Sequence, residues 1–141
     1  MKRSWWWPLD NPPVIWIVED DLSTQRIVAA HLKTNGFAPV IFESAEKAYE
    51  ALKAKQMPAL IILDMLLPGM SGVDFIRLIK QNTVWEKIPV VVVSVLSRKE
   101  NSDTTEEEAT SYWINKPFDT NNLIQTVQKI LSSVMQKEGP G

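Results

Sequence analysis

The chain contains no cysteine, so it holds neither a disulfide framework nor a thiolate metal centre. Histidine occurs once, at position 31. It sits among apolar neighbours in a helical stretch and reads as a half-buried structural residue. An excess of charge of either sign is missing: 15 basic residues face 17 acidic ones, a net charge of −2. That balance excludes a broad basic face and argues against direct contact with nucleic acid. No apolar run approaches the roughly 18 residues that a membrane span needs. The opening Met1-Lys2-Arg3 is basic, but its apolar stretch meets Pro8 too soon for a signal-peptide core. These absences point to a soluble, cytoplasmic protein with no membrane partner. A further lack is local: from 97 to 108 there is no apolar residue at all. A helix placed there has no face to bury, so the fourth helix is expected to be short or irregular.

What is present is a recurring pattern. Val14–Val18 is a continuous, largely β-branched run that ends in Glu19-Asp20-Asp21. Residues 59–63 form a similar run ending in Asp64, and 89–93 another ending in Ser94. Residues 40–42 and 112–114 are shorter candidates. Unalternating runs of this kind suit strands covered on both faces, as in a parallel sheet. Between them lie amphipathic stretches. Residues 22–34 place Ile27, Val28, His31 and Leu32 near one face, with Gly36 as a stop. Residues 45–55 follow an N-cap at Ser44. Residues 72–81 carry Val73, Phe75, Ile76 and Ile79. Residues 120–135 carry Leu123, Ile124, Val127, Ile130, Leu131 and Val134 behind Asp119. Strands alternating with helices predict a doubly wound α/β domain, a five-stranded parallel sheet with helices on both faces. The domain is expected to span 14–135, between a Trp/Pro-rich tail at 1–13 and a flexible tail at 136–141. The three tryptophans at 5–7 fit either a local segment folded onto the domain or an exposed anchor for a partner.

Ligands bind such sheets at the carboxyl ends of the strands. Those ends carry Glu19 and Asp20, then Asp64, then Ser94, then Lys116-Pro117. Any single acid there is an ordinary turn residue; the set at four strand ends is not. Three converging carboxylates repel one another unless a cation joins them, and all-oxygen ligands suit Mg²⁺. Asp64 at the centre can attack phosphorus to give an acyl phosphate. Lys116 and the Ser94 hydroxyl would then face the transferring oxygens.

Several motifs carry a resemblance. They are Val-Glu-Asp-Asp at 18–21, Leu-Asp at 63–64, Pro-Gly-Met-Ser-Gly at 68–72, Ser94, and Trp-Ile-Asn-Lys-Pro-Phe at 113–118. Asp20 to Asp64, Asp64 to Ser94 and Ser94 to Lys116 are separated by 44, 30 and 22 positions. Across about 13–134 the chain resembles the receiver domains of bacterial response regulators. The resemblance implies a flavodoxin-like sheet of order 2-1-3-4-5 and a two-component phosphorelay. It implies Glu19 and Asp20 as the acidic pair that coordinates Mg²⁺, Asp64 as phosphoacceptor, and the backbone carbonyl of Leu66 as a further ligand. It implies Ser94 and Lys116 as phosphoryl-binding residues, Trp113 as a switch aromatic that moves with Ser94, and a cis bond before Pro117. The implied partners are a histidine kinase or histidine phosphotransfer protein, and a downstream effector.

The sequence departs from that family at four places. Val95 follows Ser94 where a small residue is usual. Leu66 and Leu96 stand where polar residues often hold an attacking water. Ala109-Thr110 and the polar stretch before it alter the output face. The switch position holds Trp rather than Tyr or Phe. Two other readings compete: a pseudo-receiver that binds proteins without phosphorylation, and a hydrolase of similar topology. The intact acid set argues against the first. Leu66 argues against the second, which needs an acid at that position.

Overall fold

The computed structural model describes residues 11–95 and 112–138. Five strands form one parallel sheet: β1 (Val14–Val18), β2 (Ala38–Phe42), β3 (Leu60–Asp64), β4 (Val90–Ser94) and β5 (Tyr112–Asn115). Their spatial order is β2-β1-β3-β4-β5, and every pairing is parallel. Among the described residues four α-helices accompany them: α1 (Leu22–Thr34), α2 (Ala45–Lys53), α3 (Gly72–Lys80) and α4 (Thr120–Glu138). The doubly wound α/β architecture and strand order expected from the sequence are thus observed. Among the described residues no helix is long and apolar enough to cross a membrane. The polar stretch 97–108, Leu96, Ala109-Thr110 and the tryptophans at 5–7 lie outside the described residues.

The unalternating strands follow from burial on both sides. Ile15 and Ile17 of β1, Leu60 and Ile62 of β3, and Val91 and Val93 of β4 face a core shared with α1 and α4. Trp16 and Val18, Ile61 and Leu63, and Val90 and Val92 face the opposite core, under α2 and α3. Each of these three strands therefore supplies both layers at a period of two. The helices begin where short polar side chains accept backbone N–H groups. Asp21 accepts from Thr24 in α1, Ser44 from Lys47 in α2 and Ser71 from Asp74 in α3. Asp119 accepts from Asn121 at the start of α4.

Local expectations differ from the structure in five places. α4 runs on to Glu138, three residues into the expected C-terminal tail. Ile27 is not on the core face of α1; it is exposed, and the buried stripe is Gln25, Val28 and Leu32. α2 stops at Lys53 rather than running to residue 55, because Lys55 takes a left-handed conformation with φ 67°. β2 begins at Ala38 and so contains Pro39. A proline is tolerated there because β2 is an edge strand. A short 3₁₀ turn, Trp85–Lys87, precedes β4; nothing in the apolar periodicity announces it. His31 is half-buried, with its Nδ1 2.9 Å from the carbonyl of Ile27.

Candidate functional site

The register brings the carboxyl ends of β1, β3 and β4 level. Val18 pairs with Leu63, and Asp64 with Val93. One residue beyond Val18, the chain leaves the sheet at Glu19, which is almost fully buried, and then at exposed Asp20. Asp64 itself is the last residue of β3 and only 8% exposed. Carboxylate oxygens of Glu19, Asp20 and Asp64 lie within 4.8 Å of one another. Residues 44 positions apart in sequence are therefore gathered by strand pairing alone.

Lys116 enters this cluster from beyond β5. Its backbone N–H donates to the carbonyl of Ser94 at 2.8 Å. That tie sets the end of β5 against the end of β4, and the bond to Pro117 is cis, as the resemblance implies. The ammonium donates to Glu19 Oε1 at 2.7 Å and to Asp64 Oδ2 at 3.3 Å. Burial opposes the charge on Lys116, but the Glu19 hydrogen bond and the charges of Asp64 and Glu19 outweigh it and raise its pKa. Glu19 responds the other way. Its carboxyl is raised to about 7, by burial first and then by the hydrogen bond and charge of Asp64, with Lys116 pulling against them. One ammonium does not neutralise the site.

The donor set fits a hard divalent cation. Glu19 Oε2 is buried and lacks a hydrogen-bond partner, a costly condition for a carboxylate oxygen. Beside it lies a cavity of about 10 Å³, lined by Glu19, Asp64 and Lys116 and otherwise mostly by apolar side chains such as Ile62 and Phe118. That space admits no more than a single water. An all-oxygen group with an orphaned acceptor and excess negative charge is what Mg²⁺ requires.

The remaining candidates are placed as follows. Ser94 closes β4, is fully buried, and pairs in register with Asn115. Leu66 donates its N–H to Asp64 Oδ1 at 3.0 Å, while its side chain is 51% exposed. Val95 is also exposed, at the exit of β4. Trp113 is half-buried on the α2/α3 side of the edge strand β5.

Two contributors were missed by sequence reasoning. Gln25 is buried and donates its amide to the carbonyl of Glu19 at 2.6 Å, fixing the turn that presents the acidic pair. Its spacing to Val28 and Leu32, three and seven positions, is the helical signal that finds it. Gly72 lies so close to the end of β3 that a Cβ there would stand 2.6 Å from Met65 Cα and 2.9 Å from the Asp64 carbonyl oxygen. Only the absence of a side chain lets α3 start there.

The fold and the acid cluster define a signalling receiver module. Residues 15–128 match the response regulator receiver domain family, and the chain belongs to that family. The phosphate regulon transcriptional regulatory protein PhoB of Klebsiella pneumoniae is 32% identical over 120 residues, covering 85% of this chain and 52% of that protein. The chain thus spans about half the length of that relative. Among solved structures, a sensor protein from Polaromonas sp. JS666 is 30% identical with a TM-score of 0.78, over 88% of this chain and 99% of that one. The signal receiver domain of a signal transduction histidine kinase from Syntrophus aciditrophicus is 28% identical with a TM-score of 0.79, over 86% and 92% of the two chains.

Proposed function

We propose that this receiver domain accepts a phosphoryl group on Asp64 in a Mg²⁺-dependent transfer from a phosphohistidine, carried by a histidine kinase or histidine phosphotransfer protein. The observation that carries the reading is the convergence of Glu19, Asp20 and Asp64 within 4.8 Å, with the Lys116 ammonium on two of them. An Asp64 carboxylate oxygen attacks phosphorus, the new P–O bond forms as the P–N bond breaks, and the imidazole nitrogen leaves with the bonding pair. Glu19, Asp20, Asp64 and the Leu66 carbonyl would hold the Mg²⁺, which supplies charge neutralisation for the phosphoryl oxygens. Lys116, already 3.3 Å from Asp64, is in reach of a phosphoryl oxygen on that residue. The Ser94 hydroxyl supplies a second contact. Movement of Ser94 toward the phosphoryl group frees space for Trp113, whose half-buried ring on β5 relays the change to an effector that reads the phosphorylated surface. The pseudo-receiver reading gains nothing from the site, since the acid set and its lysine are complete and assembled.

The test is incubation with acetyl phosphate and Mg²⁺, followed by mass spectrometry. One phosphoryl group is expected on the peptide containing Asp64, absent without Mg²⁺ and absent in Asp64→Asn. Uptake that persists in Asp64→Asn rules out this acceptor; no uptake from either acetyl phosphate or a phosphorylated histidine donor rules out the function.

A further inference from the structure

The loop that carries Leu66 from β3 to α3 is tied down at three points. Two ties are local: the Leu66 N–H on Asp64 Oδ1, and the Gly72 N–H on the Met65 carbonyl at 3.2 Å. The third comes from a different element. The N–H of Met70 donates to Glu46 Oε2 at 3.0 Å, across 24 positions of sequence. Glu46 stands in the first turn of α2, behind the Ser44 cap. The opposite face of that helix, Ala45, Ala48, Ala51 and Leu52, is buried in the same core as Met65 and Leu67 of the loop. The carboxylate therefore projects from an element whose position the core has already set.

The approach is close. Gly69 adopts φ +75°, and a Cβ on it would run into the Glu46 carboxylate. The backbone of the loop comes as near to Glu46 as a residue without a side chain allows. A carboxylate also makes a stronger acceptor than a neutral group. The Met70 N–H holds the Glu46 carboxyl below its ordinary range, so the acceptor is ionised at neutral pH.

We infer that Glu46 is a positioning residue for the phosphoacceptor site: its contact with Met70 and Gly69 fixes the loop whose Leu66 backbone faces Asp64. The inference rests on the Mg²⁺-dependent reading above. Glu46 touches neither the metal ligands nor the phosphoryl group. Without it, the loop keeps its two local hydrogen bonds and the packing of Met65 and Leu67, but the stretch through Gly69 and Met70 loses its tie to α2, and part of the order around the Leu66 backbone must be supplied when a cation binds. The ordering cost then appears in cation affinity. A loop that is ordered once the cation is bound leaves the transfer step itself unchanged.

The test uses the whole chain as parent, Glu46→Gln and Glu46→Ala. Tryptophan fluorescence follows titration with MgCl₂ alone, and acetyl phosphate loading is measured at limiting and saturating Mg²⁺. In Glu46→Ala the half-saturating Mg²⁺ should rise about fivefold, the equivalent of one net hydrogen bond, and in Glu46→Gln, which keeps an acceptor oxygen, by no more than about twofold. The loading rate at saturating Mg²⁺ should stay at the parent value in both, and amide exchange at Leu66 and Met70 should quicken in Glu46→Ala. An unchanged half-saturation in Glu46→Ala overturns the inference while leaving the function standing. So does a lowered plateau with unchanged half-saturation, which marks general structural damage. A parent that shows neither Mg²⁺ response nor loading overturns the function and this inference with it.

Discussion

At the residue scale, Leu66 separates two tasks between its backbone and its side chain. The N–H is committed to Asp64 Oδ1, which orients the carboxylate proposed as acceptor. The side chain points away into solvent, half exposed, and offers no polar atom. Hydrolysis of an acyl phosphate needs a water held in line with the Asp64–phosphorus bond, and such a water is held by polar groups on the rim. The apolar Leu66 side chain provides none, and exposed Val95 adds bulk beside Ser94. The phosphorylated form is therefore expected to be long-lived. Leu66→Asn restores a polar group without touching the backbone contact. Decay of phospho-Asp64 in Mg²⁺ buffer should accelerate, by up to about 10²-fold for a well-positioned group. Equal decay in parent and variant would show that water access is set elsewhere.

At the scale of elements, the site depends on where helices start. α3 can begin only because position 72 lacks a Cβ, since two of the three nearest atoms, Met65 Cα and the Asp64 carbonyl oxygen, belong to backbone that cannot rotate away. Gly72→Ala should lower stability by about 1–3 kcal/mol, the usual cost of overpacking, read as a lower denaturant midpoint with an unchanged m-value. A midpoint equal to the parent's would mean that α3 shifts freely. This closeness marks the limit of what the sequence discloses. The gathering of Glu19, Asp20, Asp64, Ser94 and Lys116 at the strand ends was legible because each lies at or within two residues of the end of an apolar run, and parallel pairing must bring those ends together. The strand order came through the resemblance of the same motifs. Contacts between side elements were not legible. Nothing in the local sequence says that Glu46 reaches Met70, that Lys55 turns left-handed, or that Gln25 displaces Ile27 from the buried stripe. These depend on distances set by the packed helices rather than on periodicity.

At the scale of the whole molecule, the acid cluster couples folding to protons and, on the proposed function, to metal. The Glu19 carboxyl is pushed up to about 7 in the folded chain from 4.5, first by burial and then by Asp64. Between about pH 4.5 and 7 the folded protein keeps a proton that the unfolded chain has released. Stability from this group is complete below the lower value and is lost as pH rises through the upper one. A cation that binds ionised Glu19 must displace that proton at low pH and meets a bare carboxylate above neutrality. On the proposed function, Mg²⁺ would also stabilise the fold by mass action, by an amount that grows with its affinity at each pH. The rise in Tm on adding Mg²⁺ should therefore be larger at pH 7.5 than at pH 5.5, and the metal-free protein should melt lower at the higher pH. Glu19→Gln carries no titrating proton, so the part of the pH slope centred between those values should vanish from the metal-free melting curve. An equal Mg²⁺ effect at both pH values, or a parent slope that survives in Glu19→Gln, would place the proton on another group. Lys116 does not interfere in this window: its pKa lies above the ordinary lysine value, so its contribution is lost only at far higher pH. The cluster is thus a local source of instability at neutral pH, and on the proposed function a bound cation would relieve it.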